Sequence, residues 1–286
     1  MQVLAWNVQE AFPWQGSRDR IQRQVEFIDE NQPDVLLLNE VTAGKRELWR
    51  DSLREVGYSE VVDSLDWAKT LGNSNIPPHE DINHVNGNLT ALHDDFRGEN
   101  LTRQSPSIRE GAWEHAEQKD WDTNFPEKIL PATFELETTE IEVWNVRAVP
   151  GNDWGTEKVK ILETTYNRIR KAAEPPVLLA GDFNAPQDEL EDGTIVPWRS
   201  DDDSELSERW TTAERNLLNG LTEIGMVDVF RQIHGYEGVG VVETSHDTFR
   251  FDHLIASEAL NPNDCYYDHD GFECSDHAPI IGNFRV

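Results

Sequence analysis

Five clusters of carboxylates, amides and histidine stand at the ends of short apolar runs. Trp6-Asn7 closes Val3-Leu4-Ala5, and Asn39-Glu40 closes the run from Val35 to Leu38. Gly181-Asp182-Phe183-Asn184 closes the run from Val177 to Ala180. Phe251-Asp252-His253 opens Leu254-Ile255-Ala256, and Ser275-Asp276-His277 precedes Ala278-Pro279-Ile280-Ile281. Carboxylate and amide oxygens are hard donors that suit a Mg2+-like cation. Together with an imidazole they form the inventory of a metal-dependent phosphoester site.

Each cluster also has a plainer reading. Asp182 and Asn184 are two apart, so on an extended segment they share a side, and Gly181 permits a tight turn. Asp and Asn build turns equally well. His277 with a carboxylate fixing its ring can donate from its other nitrogen to a phosphate oxygen, and Asp252 is the candidate for that carboxylate. A solvated loop would carry the same residues. Glu40 follows four apolar residues, where a buried carboxylate is costly unless paired or metal-bound. It reads equally as a cap of the next helix. Trp6 reads as core, with Asn7 tying a loop.

The apolar runs are short, β-branched or leucine-rich, and read as buried strands. Residues 17–32 read as a helix: Ser17 caps it, Ile21, Val25 and Ile28 share a face, and Pro33 stops it. Further helices are expected over 47–56, 156–173 and 211–224, the second with Val159, Leu162, Tyr166 and Ile169 on one face. Strands are expected over 34–38, 58–63, 88–93, 129–137, 141–146, 251–256, 264–269 and 279–285, with another near 241–249. Residues 64–128 read as long loops and 187–205 as an acidic loop. Strands and helices alternate early and strands crowd late, which indicates an α/β sandwich with mixed sheets. No linker or repeat divides the chain, so residues 1–286 read as one domain.

Asp and Glu number 55 against 25 Lys and Arg, a net charge of −30. Chains this acidic can be disordered, but the recurrent strand patterns and 10 Trp exclude that for the whole chain. The remaining reading is an ordered protein with an acidic shell, of the halophilic type. At ~1 M salt the Debye length is about 3 Å, which screens the self-repulsion. Such salt also removes most of the Lys/Arg contribution to binding a polyanion. The acidity therefore argues against nucleic acid less than it would in dilute salt, and gives it no positive support. No stretch approaches the ~20 apolar residues of a membrane span. The N-terminal residues carry no signal-peptide pattern, so a cytoplasmic protein is expected. Cys265 and Cys274 are too few for a disulfide framework and are expected to be reduced.

Taken together, the clusters from Trp6-Asn7 to Ser275-Asp276-His277-Ala278-Pro279 resemble the endonuclease/exonuclease/phosphatase superfamily, the deoxyribonuclease-like fold. The chain would be a haloarchaeal-type acidic member. The resemblance implies a four-layer α/β/β/α sandwich whose strand ends form one cleft for Mg2+ or Mn2+ and a phosphoester. It implies Glu40 as the main metal ligand, with Asn7 and Asp276 close to the metal. Asp182 would orient or deprotonate the attacking water, and Asn184 would hold that water or a phosphate oxygen. His277 would stabilise the phosphorane-like charge, with Asp252 fixing its ring.

Two departures stand out. Many members carry an Asn-x-His pattern before the long helix, and here the segment reads Asn145-Val146-Arg147. Arg147, with Asn145, would clamp phosphate, since a guanidinium binds phosphate bidentately but is no acid near neutral pH. Gln9 stands where some abasic-site nucleases carry an acid. The expected activity is phosphodiester hydrolysis in nucleic acid. The alternatives are a phosphatase or phosphodiesterase for a small phosphorylated molecule or lipid headgroup, and a silent binding module. No obligate protein partner is indicated. Arg103, Arg109, Trp113 and Trp121 lie in the long loops, where they can touch substrate or serve as ordinary surface and packing residues.

Overall fold

The structure, a computed structural model, describes residues 1–10, 17–67, 85–105, 121–171, 176–198, 204–238 and 243–286. Along the chain run β1 (Gln2–Asn7), α1 (Arg18–Asn31), β2 (Val35–Thr42), α2 (Arg46–Glu55), β3 (Glu60–Asp63), β4 (Asn86–Leu92) and β5 (Gly98–Arg103). Then come β6 (Ile129–Leu136), β7 (Thr139–Val146), α3 (Gly151–Lys171), β8 (Val177–Asp182), β9 (Asp188–Glu189), β10 (Ile195–Val196) and α4 (Ser204–Leu218). The chain finishes with β11 (Met226–Asp228), α5 (Val229–His234), β12 (Asp252–Ser257), β13 (Pro262–Tyr267) and β14 (Ile280–Phe284).

Two six-stranded sheets hold the order β13-β14-β1-β2-β4-β3 and β11-β12-β8-β7-β6-β5. Each has one parallel pair, β1 with β2 and β7 with β8. Those pairs need crossover connections, and α1 and α3 supply them. The other pairings are antiparallel. Side chains alternate along β1: Val3 and Ala5 pack with Leu178, Ala180, Leu254 and Ile280 between the sheets. Leu4 and Trp6 face outward onto Ile21, Val25 and Ile28 of α1 and Trp49 of α2. On the other sheet Trp144, Val146 and Leu179 face outward onto α3 and α4. Helix, sheet, sheet, helix is the four-layer sandwich. All eight residues of β2 are buried, as expected for a strand covered on both faces.

The Ser17 side chain accepts from Arg20 N, and the helix it caps spans Arg18–Asn31. Most other expectations hold within a few residues. The exceptions are polar or short. β5 lies inside the stretch read as loops, because Gly-Glu-Asn-Leu-Thr-Arg is an edge strand with little burial. The acidic stretch carries the β9–β10 hairpin, too short for any periodicity. Instead of a strand at 243–249 there is a tight turn closed by a His246–Phe249 bridge. The helix expected over 211–224 starts earlier, and a 3-10 turn (Gly220–Ile224) follows it. β11 and α5 are new. Among the described residues no helix is long and apolar enough to cross a membrane.

A buried bridge of three asparagines links the sheets. Asn39 Nδ2 donates to Asn88 Oδ1 (3.0 Å) and Asn145 Oδ1 (2.7 Å). Asn145 Nδ2 donates to Leu38 O (3.2 Å), Leu89 O (2.9 Å) and Thr90 Oγ1 (3.3 Å). The expectation that Asn145 contacts substrate phosphate is therefore corrected: it is fully buried and its amide is consumed by the opposite sheet. Asn145→Ala orphans several buried polar groups, at about 1–3 kcal/mol each. It is expected to lose roughly 3 kcal/mol of stability in urea unfolding. Unchanged unfolding would contradict the bridge.

Candidate active site

The strand ends converge at one edge of the two sheets. The register between β2 and β4 breaks between Leu38 and Val41, and Glu40 takes a left-handed φ of 63°. Such irregularities re-aim side chains. Asn39 points into the sheets, where its Oδ1 accepts from Asp182 N at 2.9 Å, while Glu40 enters the cleft. At the end of β8, Gly181 has φ 135°, and a Cβ there would lie 2.1 Å from Val146 O. Only glycine lets β8 pass so close to β7. This is what sets Asp182 beside its neighbours.

Asp182 Oδ1 accepts from Asn184 N (2.8 Å), and Oδ2 from Asn184 Nδ2 (3.0 Å) and Asn7 Nδ2 (3.0 Å). Asp252 lies opposite Asp182 in the ladder, and its Oδ2 is 2.7 Å from His277 Nδ1. His277 Nε2 faces Asn7 Nδ2 at 3.5 Å and Asp276 Oδ1 at 3.9 Å. Neither is an acceptor within hydrogen-bonding distance. A protonated His277 thus keeps an Nε2–H for a ligand oxygen. Ser275 braces the corner: its hydroxyl donates to Asn7 O (2.6 Å) and accepts from His277 N (3.2 Å).

Burial opposes charge on His277, but Asp252 beside it, then Asp182 and Asp276, raise its pKa to about 10. Burial raises Asp182, and Asp252 adds to this, against the pull of His277 and Arg147. Burial also opposes ionisation of Glu40, yet Arg147, His277 and the Asn7 hydrogen bond hold its pKa below the usual carboxylate value. Asp276 is raised by burial.

Two expected residues sit differently. Asn7 Oδ1 accepts from Gln9 N (3.0 Å), while Nδ2 faces Glu40 Oε1 (3.3 Å) and Asp182. Asn7 therefore orients two carboxylates, and its oxygen, holding one hydrogen bond, keeps a second lone pair. Arg147 lies in the cleft, but its guanidinium pairs with Glu40 and stands 4.0 Å from Asp182. It is a counter-ion of the acids before it is anything to a phosphate.

The donor set fits a hard divalent cation. Asp276 Oδ1 is buried with no hydrogen-bond partner among the described residues, and Gln9 Nε2 binds the other oxygen. With Glu40 it supplies carboxylate oxygen. Ligand atoms of His246, Asp276 and His277 also lie within 4.8 Å of one another. However, the two imidazoles are stacked, 4.3 Å between centroids and 29° between planes. Their in-plane lone pairs therefore run side by side and do not converge on one ion.

His246 escaped the sequence reading because a lone histidine in a turn carries no pattern. So did the cavity beside Asn184, about 280 Å3, with Trp198, Trp210, Phe249 and Phe251 in its walls. Arg103 is engaged with Asp66 (2.5 and 2.8 Å), and Trp121 packs edge-on against Trp67. Both follow the plainer reading. Arg109 and Trp113 lie outside the described residues. Cys265 and Cys274 are buried free thiols.

Residues 4–277 match the sequence model of the Endonuclease/Exonuclease/phosphatase family. None of the curated proteins matches the chain. Among solved structures it is similar to an AP endonuclease from Archaeoglobus fulgidus, with 18% identity, TM-score 0.63 and full coverage of both chains. The human Nocturnin catalytic domain with bound sulfate anion gives 15% identity and TM-score 0.64, covering 100% of this chain and 93% of that one. D. rerio TDP2 complexed with single strand DNA product gives 14% identity and TM-score 0.58, covering 100% and 99%. At these identities the likeness is one of fold.

Proposed function

The chain belongs to the endonuclease/exonuclease/phosphatase family, and from that we propose that it hydrolyses phosphodiester bonds in nucleic acid with a divalent cation, Mg2+ or Mn2+. The observation that carries this reading is the Asp252–His277 pair, whose Nε2 faces the same space as Asp182, Asn184 and Glu40. Glu40 and Asp276 would hold the cation, which when bound supplies charge neutralisation for the phosphate and the leaving oxygen.

The residues do the rest. Asp182, raised by burial, is suited to take a proton from the attacking water near neutral pH. The Asn184 side-chain oxygen has no partner among the described residues and can accept the water's second hydrogen. His277, kept protonated by the negative charge of its carboxylate neighbours, donates Nε2–H to a non-bridging oxygen as negative charge builds there. Asp252 fixes the ring. Arg147 balances Glu40 and lends positive charge to the phosphate subsite. No covalent nucleophile is needed. The aromatic cavity beside Asn184 suits a base more than a sugar phosphate, and the single-strand DNA product in the TDP2 relative supports the same class.

Supercoiled plasmid with Mg2+ in concentrated salt should be nicked. Phosphate release from nucleotides or inositol phosphates without nicking would replace this substrate class by a small phosphoester. No hydrolysis at all, together with no cation binding by calorimetry, would leave a binding module.

We read the acidic composition as that of a single-domain protein working in a salt-rich cytoplasm, as in haloarchaea. With a net charge of −30, the melting temperature should rise by roughly 10 °C or more between 0.1 and 3 M KCl as repulsion is screened. A flat or falling response in scanning calorimetry would remove the halophilic reading.

A further inference from the structure

Lys158 of α3 is fully buried, yet no role in the chemistry above requires it. Its ammonium donates to the backbone carbonyl of Asn184 at 2.6 Å and to Glu214 Oε1 at 2.9 Å. Glu214, on α4, is also fully buried and accepts from Trp210 Nε1 (2.5 Å) and Trp198 N (3.3 Å). The ammonium lies 4.9 Å from the Trp210 ring centroid. Burial pulls the Lys158 pKa down while Glu214 and Asp182 pull it up.

Asn184 has a left-handed φ of 48°. Its amide N is held by Asp182, and its side-chain nitrogen by Asp182 and Ala148 O. With Lys158 on the carbonyl, every polar atom of Asn184 except Oδ1 is tied. A strained conformation persists only when its surroundings over-determine it, and the Lys158 bond is the one tie in this set made by a cation.

We propose that Lys158, seated on Glu214, is a positioning residue that fixes the Asn184 carbonyl and so aims the Asn184 side-chain oxygen at the attacking water. This rests on the reading of Asn184 given above. It also joins the catalytic turn to Trp198 and Trp210, so that the wall of the aromatic cavity and the water-holding amide share one buried ion pair.

Lys158→Met alone strands a buried carboxylate and is apt to unfold the chain. The test therefore uses Lys158→Met with Glu214→Gln, alongside Lys158→Arg, each with Asn184 intact and with Asn184→Ala. Turnover is measured on a fluorescent DNA oligonucleotide with Mg2+, well below the melting temperature. A misaimed group costs kcat, so the double variant should lose about 30-fold in kcat with KM nearly unchanged. In the Asn184→Ala background the same change should cost no more than about twofold, because coupled residues are non-additive. Lys158→Arg should restore most of the rate.

Equal losses in both backgrounds, or a loss confined to stability, would overturn the proposal. The side-chain 15N–1H2 signal of Asn184, identified through Asn184→Ala, provides a readout without turnover. It should shift and broaden in the double variant, and an unmoved signal overturns the proposal. If the native protein cleaves no phosphodiester, the proposed function falls, and this signal alone then decides the role of Lys158.

Discussion

Glu40→Gln is expected to lower turnover by about three orders of magnitude, the scale of losing several kcal/mol of cation-assisted charge stabilisation. The substitution keeps the shape of the side chain and removes one charge. That charge is buried and set in a left-handed conformation at the break in the β2–β4 register. Its cost in the folded chain is met by Arg147, His277 and Asn7. A neutral amide in its place would leave Arg147 without its nearest acid, so stability should fall by about 1–3 kcal/mol. Calorimetry with Mn2+ should show at least a 10- to 100-fold weaker affinity, since loss of a ligand should exceed the effect of losing a residue behind one. Full activity with unchanged Mn2+ affinity would remove Glu40 from the site.

His277→Ala should cost turnover about 100- to 10,000-fold, the range for a positioned proton donor. The pH behaviour of the cation-free protein makes the cause separable. In the unfolded chain a histidine titrates near 6.5, while in the fold His277 is raised to about 10 by its carboxylate neighbours. A group raised on folding contributes stability that is fully present below the unfolded value. That contribution is lost as pH rises through the folded value. With chelator present, the native protein should therefore lose stability between about pH 6.5 and pH 10 relative to His277→Ala. Imidazole NMR should place the His277 titration in the alkaline range and move it down in Asp252→Asn. A His277 signal titrating near 6.5 in the native protein would break the pairing with Asp252.

Most of the site was legible because strand ends announce themselves. A buried run that starts or stops beside Asp, Glu or His brings that residue to the sheet edge, and Asp182, Asp252, Glu40 and His277 all arrive there. Which way a polar residue then faces was not legible. Asn145 and Arg147 share a side of the same extended segment, yet the first sits between the sheets and the second in the cleft. Asn7 was read by residue type as an oxygen donor, and the contacts of its nitrogen with Glu40 and Asp182 were not foreseen. Lys158 lies on a helix whose apolar face masks it, and it meets Asn184 only through tertiary packing. Of the sheets, β5, β9, β10 and β11 were missed because edge strands and strands of two or three residues leave too little pattern.

The pairing of β1 with β14 has a kinetic consequence. Asn7 and His277 meet across 270 residues, and Gln2 finds its ladder partner at Asn283. Closing so long a loop costs entropy before any contact compensates, and distant pairings are slow to form. During refolding from denaturant, secondary structure should return first and hydrolysis last, with partly folded chains inert throughout. A nascent chain would likewise carry Glu40, Asp182 and Asn184 with no working cleft until its final strand slots in beside the first.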